Sequence, residues 1–255
     1  MPELPEVELY ARDFALHALH RTIAGVRVLD PRIAGTRDFA LLRGRSFRSV
    51  RRHGKHLFAD AGVVWLHIHF GMTGDLGAFL DEAPPRFARL VVDFQDGSHL
   101  AYADMRLFGV VELTASPEAF VREHRLGPDP LEIRLPEFRR RMAGRRGRIK
   151  ALLMSQRVIA GVGNLYADEA LYRASIEPRR AADRMTAEQT RRLFAAIRAV
   201  LREAIAFKSR GGDYPARWLV PHRAEGDRCP RCGGTIRRDV VGGRTTYWCA
   251  RHQRQ

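Results

Sequence analysis

The sequence predicts an α+β, multidomain protein in which an N-terminal helix and an antiparallel β-sandwich precede a helical domain and a small C-terminal hairpin finger. Three observations predict it. Residues 23–113 fall into short β-type runs divided by turn signals, the pattern of antiparallel sandwiches and barrels. Beyond a Pro- and Gly-containing stretch at 125–130 the apolar spacing changes to the helical period. All three cysteines fall after residue 228, in a tail too short to hold a core unaided.

The opening Pro2-Glu3-Leu4-Pro5-Glu6-Val7-Glu8-Leu9 reads as a helix start. Pro5 suits the first turn, and Glu6 and Glu8 sit where the helix dipole favours negative charge. Leu9, Phe14, Leu16 and Leu19 carry the helix to about His20. Strands are expected at Ile23–Leu29, Ser46–Arg52, His56–Ala59, Val63–His69, Phe87–Phe94, Leu100–Asp104 and Gly109–Leu113, with Asp96-Gly97 as a hairpin turn. Arg125 to Pro130 reads as a linker. Helices follow at Pro136–Ala143, Arg148–Gln156, Leu165–Arg173 and Thr186–Phe207, the first opened by Pro136. Thr186 and Gln189 form a capping box, and Leu193, Ile197, Val200, Leu201 and Ile205 make one apolar stripe. Gly161-Val162-Gly163-Asn164 is a tight turn between two helices. These limits divide the chain into 1–124, 125–218 and 219–255.

Hydrophobic residues make up 45% of the 255, enough for a core, so global disorder is excluded. Lys and Arg number 44 against 29 Asp and Glu, a formal charge of +15. An excess of this size calls for a polyanionic partner, nucleic acid ahead of anionic membrane. No apolar run approaches the ~20 residues of a membrane span, and no signal peptide opens the chain, so a cytoplasmic location is expected.

Cys229-x2-Cys232 and Cys249-x2-His252 are two short-spaced ligand pairs joined by a hairpin-length spacer. Each pair grips from one turn, which is what one tetrahedral Zn²⁺ needs. With all four positions filled by protein the zinc is structural. Gly242-Gly243 is the expected hairpin turn, and Arg244 follows it as a candidate phosphate contact.

Several separated motifs, in order, carry a resemblance that spans nearly the whole chain. They are Met1-Pro2-Glu3-Leu4-Pro5-Glu6-Val7-Glu8, Gly54-Lys55, His69-Phe70-Gly71-Met72-Thr73-Gly74 and Asp104-Met105-Arg106-Leu107-Phe108-Gly109, then Leu126-Gly127-Pro128-Asp129-Pro130-Leu131, Gly161 through Glu169, and the finger with Gly242-Gly243-Arg244. Together they resemble the formamidopyrimidine-DNA glycosylase/endonuclease VIII family of DNA-repair enzymes. The resemblance implies a helix–two-turns–helix element in the helical domain, double-stranded DNA carrying a damaged base or abasic site as partner, and a monomer with its duplex in the cleft between two halves. It also implies glycosylase activity coupled to strand cleavage at the abasic site.

Loss of Met1 leaves Pro2 as a secondary amine, and an α-amine is less basic than a lysine (~8 against ~10.4), so more of it is free near neutral pH. Attack on the sugar C1′ expels the base and leaves an iminium, which acidifies the C2′ proton and permits elimination of the 3′ phosphate; the resemblance implies a second, δ-elimination after it. The resemblance makes Glu3 the proton-handling carboxyl, Glu6 a supporting acid that orients the N-terminus, and Glu169 a further acid near it. Lys55 and His69 are expected on phosphates beside the lesion, Asn164 and Arg244 on the backbone from the other domain. Lys55 and Arg244 also count among the catalytic set. Asn164 is in addition expected to cap the helix opening at Leu165. Chemistry on a base requires taking it out of the stack. Met72, Arg106 and Phe108 match the residues that fill the hole in the purine-directed branch: a flexible thioether, a planar cation and an aromatic wedge.

Two departures stand out. His252 replaces a cysteine, which zinc tolerates. Only Asp213 to Arg228 separates Gly211-Gly212 from the first finger cysteine, too short for the loop that caps an extruded 8-oxoguanine. Ring-opened purines, further-oxidised guanine or oxidised pyrimidines are therefore the expected substrates. The rival readings are an oxidised-pyrimidine, endonuclease VIII-like specificity, a non-catalytic damaged-DNA-binding protein on the same scaffold, and a zinc-ribbon RNA-binding factor.

Overall fold

The protein is described by a computed structural model over residues 2–35, 38–80 and 83–254. The chain forms two compact units, Met1–Arg125 and Leu126–Gln255.

The first unit opens with helix α1 (Leu4–Ala18), whose Val7, Ala11, Phe14 and Ala18 are buried at helical spacing. Among the described residues eight strands follow: β1 (Ile23–Val28), β2 (Ser49–His53), β3 (His56–Asp60), β4 (Trp65–His69), β5 (Gly74–Phe79), β6 (Ala88–Phe94), β7 (His99–Asp104) and β8 (Val110–Thr114). They make two antiparallel four-stranded sheets, ordered β1-β6-β7-β5 and β2-β3-β4-β8. One apolar cluster runs through both: Phe14 from the helix, Leu57, Leu66 and Ile68 from one sheet, Leu90, Val92 and Leu100 from the other. Alternation explains the register, since Leu57 and Ala59 face this core while His56 and Phe58 face the other way. Asp96-Gly97 forms the expected turn between β6 and β7, Gly97 having φ +82°.

Besides two short 3-10 turns, Pro31–Ile33 and Phe39–Leu42, a strand and a helix of this unit were not anticipated. Strand β5 contains Gly74, Gly77 and Asp75, residues that read as loop, yet it pairs along its length with β7. A short helix α2 (Pro117–Glu123) is capped by Ser116, whose hydroxyl accepts from Ala119 N–H at 3.0 Å. The second expected strand begins later, at Ser49 rather than Ser46.

The second unit holds α3 (Leu135–Met142), α4 (Ile149–Met154), α5 (Asn164–Arg173), α6 (Ala187–Lys208) and the hairpin β9 (Ile236–Val241) with β10 (Arg244–Cys249). Helix α3 opens one residue before Pro136. The Thr186–Gln189 capping box is present, and Leu193, Ile197, Val200, Leu201 and Ile205 are buried. The segment expected as a linker is docked on this unit. Gly127 N–H donates to Gln156 O and Ala160 N–H to Pro128 O. A methyl at Gly127 would meet the Val158 carbonyl carbon at 2.6 Å.

The hairpin is tied to the helices by a buried ion pair. Lys150 Nζ on α4 lies 2.7 Å from Asp168 Oδ1 on α5, both side chains fully buried. The same ammonium donates to Thr246 Oγ1 at 2.6 Å and to Thr245 O at 3.2 Å, and Asp168 Oδ2 accepts from Tyr247 N–H and from Arg223. Removing one charge strands the other away from water. Lys150→Met should therefore cost about 3–5 kcal/mol, measured as a fall in the melting transition of this unit with zinc still bound. A variant as stable as the parent would show that Asp168 is satisfied by Arg223 and the Tyr247 amide alone.

Candidate DNA-repair site

Pro2 and Glu3 are buried at the start of α1, Glu3 with 2% of its surface exposed. Glu3 and Glu6 form a capping box, and Glu3 N–H donates to Glu6 Oε2 at 2.9 Å. The Glu6 carboxylate thus fixes the backbone one residue from Pro2. Helix α1 is itself held: Tyr10 stacks on Phe70 at 4.4 Å, and Arg52 Nε donates to Glu8 Oε2 at 2.9 Å.

The sheet brings Lys55 and His69 together. Gly54-Lys55 turns β2 into β3 with Gly54 at φ +58°, and His69 at the end of β4 pairs with His56. Burial, with smaller contributions from His67 and the Lys55 charge, pushes the His69 imidazole down to about 4. It is neutral at pH 7. Its Nδ1 accepts from Gly71 N–H at 3.3 Å, which leaves the proton on Nε2 as a hydrogen-bond donor.

Behind His69 lies a row that the motifs did not reveal. Glu112 Oε1 faces His67 Nδ1 at 3.1 Å, and His67 Nε2 faces His56 Nδ1 at 2.9 Å. Phe120 and His124 of the α2 segment cover it, Phe120 lying 4.1 Å from the His67 ring. Burial lowers both His56 and His67; histidine neighbours lower His56 further, while Glu112 partly opposes the shift at His67. All three imidazoles therefore bind protons more weakly when folded than when unfolded. The stability this represents is complete above the unfolded value near ~6.5 and is lost as pH falls from there. The first unit should lose up to about 1.4 kcal/mol per pH unit for each imidazole on acidification toward pH 5. Unfolding midpoints followed against pH check this, and a His56→Gln/His67→Gln double variant should flatten the slope.

The three expected gap-filling residues share one end of the sandwich. Phe108 is 55% exposed, Arg106 is exposed with its guanidinium 4.9 Å from the Phe108 ring centroid, and Met72 is half-buried. Two loops meet there because Gly71, at φ +56°, has no Cβ to strike the Phe108 carbonyl carbon, 2.4 Å from where that atom would stand. Asp104 is the post that holds both. Its Oδ1 accepts from Thr73 Oγ1 at 2.5 Å and from Arg106 N–H at 3.1 Å, its Oδ2 from Gly109 N–H at 2.8 Å. Burial raises its pKa, but these bonds outweigh it and hold the carboxyl below the usual carboxylate range. Asp104→Ala should cost about 3 kcal/mol, because Thr73 Oγ1 and the Arg106 and Gly109 N–H groups lose a charged acceptor that is itself fully buried. It should also loosen the loop, and fluorescence quenching of a reporter base opposite an abasic site reads that directly.

In the second unit the expected cap is corrected. Asn164 is the first residue of α5 and Gly163 the cap; Asn164 makes no capping bond and its buried Oδ1 has no hydrogen-bond partner. The turn before it is stapled by Gln156, which donates to Met154 O and Val162 O and accepts from Gly161 N–H, at 2.8–2.9 Å. Sequence reading missed Gln156 because it counted this glutamine as the last residue of the helix expected at Arg148–Gln156, whereas α4 ends at Met154. Glu169 is fully buried: Oε2 accepts from Leu219 and Val220 N–H, and Oε1 pairs with Arg173. Its carboxylate organises the segment after α6, and burial raises its pKa despite Arg173.

Cys229, Cys232, Cys249 and His252 place one ligand atom each within 4.8 Å of one another. Cys232 Sγ is 3.5 Å from Cys249 Sγ and from His252 Nδ1, and Cys229 Sγ is 3.6 Å from that nitrogen. Tetrahedral zinc, at ~2.3 Å from sulfur and ~2.0 Å from nitrogen, needs ligand separations of roughly 3.5 Å. The residues fit the metal. Gly242 and Gly243, at φ +59° and +73°, make the turn that puts Arg244 exposed at the hairpin tip.

Sequence models of known families match in order: the formamidopyrimidine-DNA glycosylase N-terminal domain at residues 1–111, the formamidopyrimidine-DNA glycosylase H2TH domain at 126–214, and the zinc finger found in FPG and IleRS at 226–251. A formamidopyrimidine-DNA glycosylase of Heliobacterium modesticaldum is 38% identical over the full length of both chains. Lactococcus lactis Fpg, solved with DNA containing an abasic site, is 28% identical with a TM-score of 0.87 over 99% of this chain and 100% of that one. MutM, solved with DNA containing carbocyclic 8-oxo-G, is 29% identical with a TM-score of 0.88 over the whole of both chains. The chain belongs to the formamidopyrimidine-DNA glycosylase family.

Proposed function

We propose that this protein is a base-excision-repair DNA glycosylase with abasic-site lyase activity, acting on damaged double-stranded DNA through the amine of Pro2 after loss of Met1. The observation that carries the catalytic part is the N-terminal arrangement: a proline followed by a buried glutamate whose backbone is pinned by a second glutamate. The capping box alone would serve any helix start, but a protein that only held DNA would have no need of a secondary amine beside these carboxyls. Removal of Met1 turns the Pro2 amide nitrogen into a secondary amine. That amine attacks C1′; Glu3, next in the chain, handles protons at the sugar, and Glu6 orients the terminus. Lys55 and the neutral His69 donate to phosphates, Met72, Arg106 and Phe108 fill the vacated stack, and Asn164 and Arg244 hold the strand from the second unit. Glu169 supports the site through the Leu219–Val220 backbone. Zinc supplies the cross-link that makes the finger rigid, held by Cys229, Cys232, Cys249 and His252. We take the working form to be a monomer, divided functionally as 1–124, 125–218 and 219–255. Among the described residues no helix is long and apolar enough to cross a membrane.

Borohydride reduction in the presence of an abasic-site duplex tests the chemistry. A covalent protein–DNA adduct is expected from processed chain, and its absence with Met1 gone would favour the non-catalytic reading.

The lesion preference follows from the segment after α6. Tyr214 OH lies 3.2 Å from Tyr166 OH, its ring is edge-on to Phe207, and Trp218 is fully buried. A segment pinned this way has no free length to fold over an extruded 8-oxoguanine. Ring-opened purines, further-oxidised guanine and oxidised pyrimidines should therefore be excised faster than 8-oxoguanine. Single-turnover rates on matched duplexes decide it, and an 8-oxoguanine rate above the others overturns this preference.

A further inference from the structure

The net charge is not spread over the molecule. Residues 1–125 contain 16 Lys and Arg and 16 Asp and Glu, so the first unit is formally neutral. Residues 126–255 contain 28 against 13, and carry the whole +15. Six of those cations lie within ten residues, Arg139, Arg140, Arg141, Arg145, Arg146 and Arg148, across the end of α3 and the loop to α4. Five are exposed and Arg141 is half-buried. Glu137 pairs loosely with Arg140 and Arg141, at 3.8 and 3.6 Å.

Two facts separate this strip from an ordinary solvated face. The first is crowding that one carboxylate, Glu137, only partly offsets: a helix end favours one or two cations through its dipole, but not six charges in ten residues. The second is its attachment. Arg148 Nη1 donates to Val240 O of the zinc hairpin at 3.4 Å. Gly242 of the hairpin turn packs against α4, a methyl there meeting Ala151 Cβ at 3.0 Å. The strip and the hairpin tip bearing Arg244 therefore belong to one rigid surface of the second unit. The net long-range attraction for a polyanion comes from this unit, while the first unit contributes local contacts such as Lys55.

We propose that the Arg139–Arg148 strip is an auxiliary duplex-docking surface that binds backbone phosphates of undamaged DNA flanking the lesion, without reading sequence. The proposal rests on the DNA-binding part of the function proposed above and is independent of Pro2 chemistry. Arginine forks suit phosphate, and displaced counterions make such binding steeply salt-dependent.

The test is a variant with Arg139, Arg140, Arg145 and Arg146 each changed to Gln, leaving Arg141 with Glu137 and Arg148 with Val240. Its zinc content and melting transition should match the parent. Binding to an undamaged duplex of about 30 bp should weaken at least about tenfold at low salt. The slope of log K against log salt should become shallower by about 2–3, since each phosphate no longer neutralised by an arginine takes away ~0.9. Borohydride trapping at saturating abasic duplex should be unchanged. An unaltered slope overturns the proposal, as does a trapping rate that falls in step with binding, which would place these arginines in the reacting site. Loss of affinity for structured RNA with the duplex slope intact also overturns it. If the parent fails to trap abasic DNA while the slope still changes, the glycosylase reading falls and the docking surface stands.

Discussion

Retention of Met1 should abolish covalent trapping on abasic DNA and slow base release by about 10³-fold or more, the range seen when a covalent nucleophile is lost. Pro2→Gln is the variant that does this, since a large second residue keeps the initiator methionine and leaves residue 2 with an amide nitrogen. Pro2→Gly is its control: the methionine is removed, a primary α-amine remains, and trapping should persist at a reduced rate. Glu3→Gln separates nucleophile from proton transfer. The bond from Glu3 N–H to Glu6 is a backbone bond and survives the change, so the helix start should hold. Excision should fall by about 10²–10⁴, the usual worth of a positioned acid or base, while affinity for an abasic duplex stays near the parent's. Intact-mass measurement of each variant shows which ones carry Met1. Undiminished trapping by a chain shown to keep Met1 would remove Pro2 from the mechanism.

How much of this was legible beforehand divides along a physical line. Features set by short-range chemistry could be read from the sequence. The Thr186–Gln189 box, the Asp96-Gly97 and Gly242-Gly243 turns, and the paired zinc ligands each depend on residues a few positions apart, and each is found in the structure. Strand β5 could not be read, because Gly74, Asp75 and Gly77 carry no strand preference and only the β7 ladder makes them extended. The same holds for the residues that position the site. Asp104 reaches back to Thr73, Glu169 forward to Leu219, Glu112 across the sheet to His67. Each gains its role from a partner dozens of residues away. The motif around Asn164 was visible, but the cap fell to Gly163 because the preceding turn is set by Gln156 rather than by Asn164 itself.

Stripping the metal should have the largest effect on the second unit. The finger has almost no core of its own; its apolar residues Ile236 and Cys249 cluster with Leu219 and with Tyr172 of α5. Structural zinc is worth about 10–16 kcal/mol of binding free energy in isolated fingers, so Cys249→Ser or a strong chelator should release the hairpin. The damage should then spread. Tyr172 OH lies 3.3 Å from Cys229 Sγ, Gln253 bridges Cys249 N–H to Ile176 O, and the Lys150–Asp168 pair counts on Thr246 and Tyr247 of β10 for its remaining bonds. With the hairpin loose, that pair is exposed to water on one side and α4 loses its anchor to α5. Calorimetry should show the transition of the second unit falling while that of the first stays in place, and DNA affinity should drop by about a hundredfold as Arg244 loses its fixed position, a loss of roughly 3 kcal/mol. His252→Cys is the informative companion, because a fourth thiolate completes the same tetrahedron. It should keep one zinc per chain, the parent's melting transition and its DNA affinity. Were Cys249→Ser to lose zinc yet bind abasic duplex as tightly as the parent, the finger would be an appendage and Arg244 no part of the grip on DNA.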